Sequence, residues 1–319
     1  MFQTIIGEDL QVCSELLRAG EAVAVPTETV YGLAANALNP ASVLKIFEIK
    51  NRPQFDPLIV HVKSARDIHS YVENIPALAQ QLIDKFSPGP ITFLLPKKSI
   101  IPDLVTSGLD TVAIRIPSHP LLQKLLHQLD FPLAAPSANP FGYISPTTSL
   151  HVYEQLQGKL PYILEGGPSA VGVESTIVGF DQEQVIVYRP GGLPIETIKS
   201  VTGKVILNSN ESSNPVSPGL LKSHYAPSKL LKIYQPGDEI EPGTALIGFN
   251  QTIPGLPTSD QYLLSSSGNL SEAASKLFST MRLLDQSEYS SILAVKFPEV
   301  GLGIAINDRL KRAAAQREE

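Results

Sequence analysis

The sequence predicts an α/β protein, a twisted open mixed sheet covered by helices and followed by a small Rossmann-like α/β unit. Three observations carry that prediction. Short apolar runs of strand length alternate with stretches whose apolar residues recur at helical spacing. Several of the runs end in polar loops, the places where open sheets hold ligands. From 208 to 228 the composition turns to Ser, Asn, Pro and Gly, which reads as a linker between a unit over 1–207 and a second over 229–319.

The elements follow in order. Asp9 is placed to cap a helix whose Leu10, Cys13, Leu16 and Leu17 share a face, and Gly20 ends it. The run 22–25 reads as a buried strand that stops at Pro26 and opens the loop Pro26-Thr27-Glu28-Thr29-Val30-Tyr31-Gly32-Leu33. Asn39-Pro40 starts a second helix, with Val43, Leu44, Ile46 and Phe47 inward, that delivers Lys50 and Arg52 just before a strand at 58–62. Helical patterns at 65–72 and 77–86 lead through Pro88-Gly89-Pro90 to strands at 91–96 and 111–117. A helix from Pro120 precedes a strand at 133–135, which runs into the polar loop Pro136-Ser137-Ala138-Asn139-Pro140. After a helix at 150–156 come strands at 162–164, 175–179 and 185–188. Beyond the linker, strands at 230–234, 245–249 and 292–297 alternate with helices at 270–284 and 305–315. Ala273, Ala274, Leu277, Phe278, Met281 and Leu284 form the core stripe of the longer helix.

Composition bounds the chemistry. A chain of 319 residues, 43% hydrophobic and 18% charged, has enough apolar material for two ordinary cores. Against 25 Lys and Arg stand 31 Asp and Glu, a net charge of -6 that opposes a broad nucleic-acid footprint while leaving a local basic cleft open. The single cysteine, Cys13, excludes an internal disulfide framework and a Cys-rich zinc site, and its place on an apolar helix face suits core packing. The start of the chain lacks a basic region followed by a long apolar one, and no apolar run nears the roughly 18 residues of a membrane span; a cytoplasmic protein without a membrane partner is expected.

Several routes to chemistry are missing. No G-x-x-x-x-G-K-[ST] loop, G-x-S-x-G elbow or H-E-x-x-H helix is present, and Gly301-Leu302-Gly303 is half a dinucleotide fingerprint with Ile306 where the third glycine belongs. What remains is a set of hydroxyl, amide and cationic residues at strand ends: Thr27, Thr29, Lys50, Arg52, Thr111, Arg115, Ser137, Asn139, Ser145, Ser175 and Arg189. Singly, each is more often a turn or cap residue. Together, with four cations, they would line an anion-accepting pocket suited to a nucleoside triphosphate plus a small carboxylate.

The runs Pro-Thr-Glu-Thr-Val-Tyr-Gly-Leu from Pro26, Lys50-x-Arg52-Pro, Pro57-Leu-Ile-Val-His61, Ala113-Ile-Arg115-Ile-Pro, Ala-Pro-Ser137-Ala-Asn139, Glu174-Ser175-Thr-Ile-Val and Tyr188-Arg189-Pro-Gly-Gly stand in this order. The chain resembles the YrdC-like family of threonylcarbamoyl-AMP synthases. Ser217-Pro218-Gly219 and His224-Tyr225-Ala226-Pro227 are similar to the linker of its long form, which carries a C-terminal extension domain. The resemblance implies that L-threonine, bicarbonate or CO2 and ATP give threonylcarbamoyl-AMP and pyrophosphate. The product would feed transfer of threonylcarbamoyl by downstream machinery to the adenosine beside the anticodon of tRNA. It further implies Thr29, His61, Arg115, Ala135 and Ser175 for threonine, with Arg115 on the carboxylate. Lys50, Arg52, Asp56, Thr111, Ser137, Asn139, Ser145 and Arg189 would serve ATP. Mg2+ is expected through the phosphates, without a dedicated protein cage. The linker, through Ser217, Gly219, His224 and Tyr225, is expected to fold over the pocket as a lid.

The chain departs from the family at two places. Asp56 stands where the family usually has Asn; it would meet the nucleotide through Mg2+ or pair with Arg52. Leu220-Leu221-Lys222-Ser223 lacks two cations common in the family's linker. Two other functions come from different classes. A carbamoyl-adenylate-forming carbamoyltransferase of hydrogenase maturation shares this domain but normally adds Cys-rich zinc fingers, for which one cysteine leaves no room. An RNA-binding module would extend a weak association of family members with double-stranded RNA, against the acidic balance of this chain.

Overall fold

The computed structural model describes residues 2–181, 184–208 and 225–315. Its first unit runs β1 (Ile5–Gly7), α1 (Leu10–Arg18), β2 (Val23–Val25), β3 (Gly32–Asn36), α2 (Pro40–Lys50), β4 (Ile59–His61), α3 (Ala65–Tyr71), α4 (Ala77–Phe86), β5 (Ile91–Pro96) and α5 (Asp103–Thr106). It continues through β6 (Thr111–Arg115), α6 (Pro120–Gln128), β7 (Leu133–Ala134), α7 (Ser149–Leu156), β8 (Tyr162–Leu164), β9 (Thr176–Asp181), β10 (Gln184–Arg189), α8 (Ile195–Thr202) and β11 (Val205–Leu207). The second unit holds β12 (Leu230–Ile233), β13 (Thr244–Gly248), β14 (Gln261–Leu263), α9 (Leu270–Gln286), β15 (Ser291–Ala294) and α10 (Leu302–Ala314).

Local chemistry sets the helix ends. Asp9 Oδ1 accepts from the amides of Gln11 and Val12 at the start of α1, and Asn39 Oδ1 does the same for Ala41 beside Pro40. At the far end of α2, Asn51 takes the left-handed conformation at φ 51°, one of the few side chains that does so cheaply. That turn ends the helix between Lys50 and Arg52. Some elements escaped the sequence reading. Strand β3 is Gly-Leu-Ala-Ala-Asn, small residues of low strand preference that read as loop, while β1, β11 and β14 are three residues each.

Eleven strands form one mixed sheet in the order β1-β8-β2-β3-β7-β4-β6-β5-β9-β10-β11. β12-β15-β13-β14 form a second, wholly parallel sheet. Because side chains alternate across a strand, each half of the large sheet has two distinct faces. Val60, Ile114, Phe93 and Val178 join the main core on one face. Val23, Val25, Ala34, Leu133 and Leu164 pack on the other beneath Leu17 of α1 and Leu122, Leu125 and Leu126 of α6. That second covering serves the β8-β2-β3-β7 part of the sheet. Further along, Ile59, Ala113 and Ile177 form only a small apolar cluster of their own, and there a cavity opens.

The second unit packs directly on the loops around that opening. Val30, Ile144 and Val173 belong to the same apolar core as Leu277, Phe278 and Met281 of α9. Gly172 comes so close to α9 that a Cβ would stand 2.4 Å from the Ser275 Cα. Gly303 has a similar reason: a Cβ there would meet the Pro298 carbonyl oxygen at 1.9 Å. Packing explains that glycine without a nucleotide.

Candidate active site

The cavity is lined by Thr27, Thr29, Val30, Gly32, Arg52, Ile59, His61, Arg115, Ala135, Pro136, Ser137, Glu174, Ser175, Arg189 and Tyr225. Its floor is the sheet face rather than the strand mouths. Ile59 and His61 are two apart on β4, and the parallel register sets Ala113 beside Ile59 and Arg115 beside His61. The Ala135 amide donates to the Ile59 carbonyl, which brings the following Pro136-Ser137 turn alongside.

One wall is the loop between β2 and β3. Thr27 Oγ1 accepts from the amides of Thr29 and Val30 and donates to the Val30 carbonyl at 2.7 Å, so the loop is folded on a single hydroxyl. With that hydrogen already committed, the 2.8 Å contact between Thr27 and Thr29 hydroxyls is donated by Thr29. Thr29 Oγ1 in turn accepts from Arg115 Nη1 at 3.0 Å. Glu28 completes the hold, its Oε1 lying 2.7 Å from Arg115 Nη2. Burial alone would raise the Glu28 carboxyl; the charge and hydrogen bond of Arg115 outweigh it and hold it below the usual range. Arg115 is thereby a fixed fork, 3% exposed, aimed across the floor.

His61, beside that guanidinium, is 2% exposed, and Nδ1 has no hydrogen-bond partner among the described residues. Burial first, then the Arg115 charge, pushes its pKa from 6.5 down to about 3, so the ring is neutral at physiological pH. A depressed folded-state value means the unfolded chain binds the proton first as pH falls. The stabilisation from neutral His61 is therefore complete above 6.5 and is lost as pH drops toward 3. Between pH 7 and pH 4 this one group is expected to remove about 3 kcal/mol from the unfolding free energy. Urea unfolding of the chain and of His61→Gln across that range checks it; parallel pH profiles would refute the assignment.

Another part of the lining carries Arg52. Its Nη2 donates to the Pro57 carbonyl at 2.8 Å and pairs with Asp56 Oδ2 at 2.8 Å, while Nε donates to the Asp56 carbonyl. Asp56 is fully buried behind the arginine, and burial raises its carboxyl although Arg52 and Lys50 oppose the shift. Lys50 Nζ donates to the carbonyls of Ser137 and Asn139 at 2.6 and 2.5 Å, and thereby ties helix α2 to the turn after β7. Burial lowers the Lys50 pKa well below its ordinary value, with the Arg52 charge adding to it.

The third wall comes from the ends of β9 and β10. Ser175 Oγ contacts Thr92 Oγ1 at 2.7 Å, and Arg189 Nη2 donates to the Ser175 carbonyl at 2.9 Å. Gly191 makes this closeness possible, since a Cβ there would stand 2.3 Å from the Glu174 carbonyl oxygen. Glu174 Oε1 accepts from Ser145 Oγ at 2.5 Å, and its Oε2 accepts from Arg309 Nε of the second unit at 2.9 Å. Tyr225, 1% exposed with φ 64°, borders the cavity and stacks on Phe278 at 5.6 Å between ring centroids.

A family model described as "Telomere recombination" matches residues 15–191, and one described as "Threonylcarbamoyl-AMP synthase, C-terminal domain" matches 193–315. The chain belongs to the Sua5/YciO/YrdC family, in its long form. Two curated relatives, each 38% identical, are the threonylcarbamoyl-AMP synthases of Pyrococcus abyssi strain GE5 and Bacillus subtilis strain 168. The first match covers 97% of this chain and 94% of the relative, the second 95% and 92%. The crystal structure of P. abyssi Sua5 complexed with L-threonine superposes with a TM-score of 0.89 at 35% identity, over 98% of this chain and 97% of that one.

Of the residues singled out in the sequence, Thr29, Arg52, His61, Arg115, Ala135, Ser137, Ser175, Arg189 and Tyr225 are brought together around the cavity. Lys50, Asp56, Asn139 and Ser145 stand directly behind its walls; Asn139 Nδ2 donates to the carbonyls of Pro140 and Tyr143. Thr111 is not brought there. It opens β6 opposite Pro96, four residues before Arg115 and about 13 Å along the strand. Ser217, Gly219 and His224 lie outside the described residues. The sequence reading passed over Glu28 and Glu174 as site residues, although both sit inside quoted motifs, because their significance depends on the arginines they meet.

Proposed function

We propose that this protein is an L-threonylcarbamoyladenylate synthase, a nucleotidyltransferase that converts L-threonine, bicarbonate or CO2 and ATP into threonylcarbamoyl-AMP and pyrophosphate. The observation that carries the reading is the convergence of three buried arginines, Arg52, Arg115 and Arg189, on one cavity. Arg115, fixed by Thr29 and Glu28 beside neutral His61, suits a single amino-acid carboxylate. Arg52 and Arg189 on the other walls suit a polyphosphate. The L-threonine held by the P. abyssi relative supports the first assignment.

In this reaction the threonine amine adds to CO2 and loses a proton to give a carbamate. A carbamate oxygen then attacks the α-phosphorus of ATP, and the bond to the β-phosphate oxygen breaks to release pyrophosphate. No covalent nucleophile is required, so the chain contributes positioning and charge stabilisation. Neutral His61 offers the amine an acceptor without adding charge, and the threonine hydroxyl has Thr29, Ser137 and Ser175 around it. The carboxylates near the cavity, Glu28, Asp56 and Glu174, each face an arginine. Among the described residues no group of three metal-binding side chains could hold an ion. In this reading Mg2+ would accompany the ATP phosphates and neutralise their charge. No helix of the described residues is long and apolar enough to cross a membrane.

The product is a mixed anhydride, suited to transfer of the threonylcarbamoyl group to the adenosine beside the anticodon of tRNA by a downstream enzyme in the cytoplasm. Pyrophosphate release from ATP with bicarbonate and Mg2+, compared among L-threonine, L-serine, glycine and no amino acid, tests the reading. Threonine-dependent release with a product at the mass of threonylcarbamoyl-AMP is expected. Release with carbamoyl phosphate alone would replace it with the carbamoyltransferase reaction. RNA affinity that falls steeply with salt, without turnover, would leave a binding module.

A further inference from the structure

The second unit sends two fully buried arginines into the first. Arg282 of α9 donates through Nε to the Ser145 carbonyl at 3.3 Å and through Nη2 to Gln155 Oε1 at 2.9 Å. Arg309 of α10, 0% exposed, pairs with Glu174 and is itself anchored by the Pro190 carbonyl at 2.7 Å from Nη1 and by Asp308 at 2.8 Å. Its guanidinium also lies over the Tyr225 ring, 5.4 Å from the centroid. Glu174 is the one carboxylate among the described residues that line the cavity. It precedes Ser175, and Pro190 follows Arg189, so Arg309 bridges the two backbone segments that bear one wall of the cavity.

A bare carboxylate in that wall would repel a phosphate or a substrate carboxylate across a low-dielectric gap, where screening is weak. We infer that Arg309 is a positioning residue for the reaction: it neutralises and orients Glu174, so the anion cavity is completed by a side chain of the second unit. Burial opposes ionisation of Glu174, but Arg309, Arg189 and Ser145 together keep its carboxyl below the usual range. The carboxylate is thus charged and in need of its partner. Assigning the anion as ATP rests on the proposed function; the placement of Arg309 does not.

Four full-length proteins decide the matter: parent, Arg309→Met, Arg309→Lys, and Arg309→Met combined with Glu174→Gln. Each is titrated calorimetrically with a non-hydrolysable ATP analogue, and its pyrophosphate release is measured. Arg309→Met is expected to weaken analogue affinity by about tenfold or more, through the uncompensated negative charge. Removing that charge in the double replacement should recover most of the loss. Arg309→Lys should stay within about threefold of the parent. An arginine that serves packing alone would give equal losses in the single and double replacements, and that result overturns the inference, as does undiminished affinity in Arg309→Met. Should Arg309→Met fail to fold, a tenfold loss in Arg309→Lys is the overturning result and near-parent affinity the supporting one. A parent chain that does not bind the analogue sinks the proposed function instead, and inorganic pyrophosphate then replaces it in the same comparison. Binding of neither anion overturns both readings.

Discussion

Replacing Arg115 by Lys is expected to lower kcat/KM for L-threonine about 100-fold, with most of the loss in KM for threonine and little change in KM for ATP. The reason lies in geometry rather than net charge. Arg115 spends Nη1 on Thr29, Nη2 on Glu28 and Nε on the Gly89 carbonyl, so its plane is set before substrate arrives. Lysine keeps the charge but offers an ammonium on a flexible stem, which cannot reproduce the fork. It also keeps Glu28 paired, which Arg115→Ala would not. A buried charge pair truncated on one side typically costs about 2–5 kcal/mol, so a 100-fold change is within reach of this one side chain. Steady-state kinetics with threonine and ATP varied in turn check the prediction. An unchanged threonine KM would remove Arg115 from the carboxylate site and with it the proposed division of the three arginines between two anions.

Much of this arrangement was legible in the sequence because the determinants are local. Asp9 and Asn39 cap the helices that their side chains predict, and Pro40 sits where a helix accepts it. The motif residues around Arg115 and Arg189 share a cavity because short, regular strands return to the same sheet face. Three things were not legible. Strand β3 is built from small residues whose burial comes from the helices packed on its two faces, not from its own composition. The site's place on a sheet face depends on α1 and α6 covering only part of that face, a matter of strand order that single-sequence periodicity does not encode. The partnership of Arg309 with Glu174 spans 135 positions between different units, and nothing near either residue announces the other.

Asp56, the carboxylate buried behind Arg52, leads to the largest expected change in stability. Arg52→Met should destabilise the fold by about 3–5 kcal/mol, because it strands a carboxylate that has no exposed surface and lies 2.8 Å from its only ion-pair partner among the described residues. Combining Arg52→Met with Asp56→Asn removes the stranded charge with a side chain of the same shape, and should return about 2 kcal/mol or more of that loss. Activity should follow a different course. Both variants lack the cation proposed to meet the polyphosphate, so threonine-dependent pyrophosphate release should stay low in the double replacement even as stability returns. Guanidinium unfolding and pyrophosphate release on the same preparations separate the two. Equal stability of single and double replacements would show that Asp56 is not held as a charged partner of Arg52. Recovery of turnover together with stability would show that Arg52 supports the cavity by keeping Asp56 in place rather than by meeting phosphate.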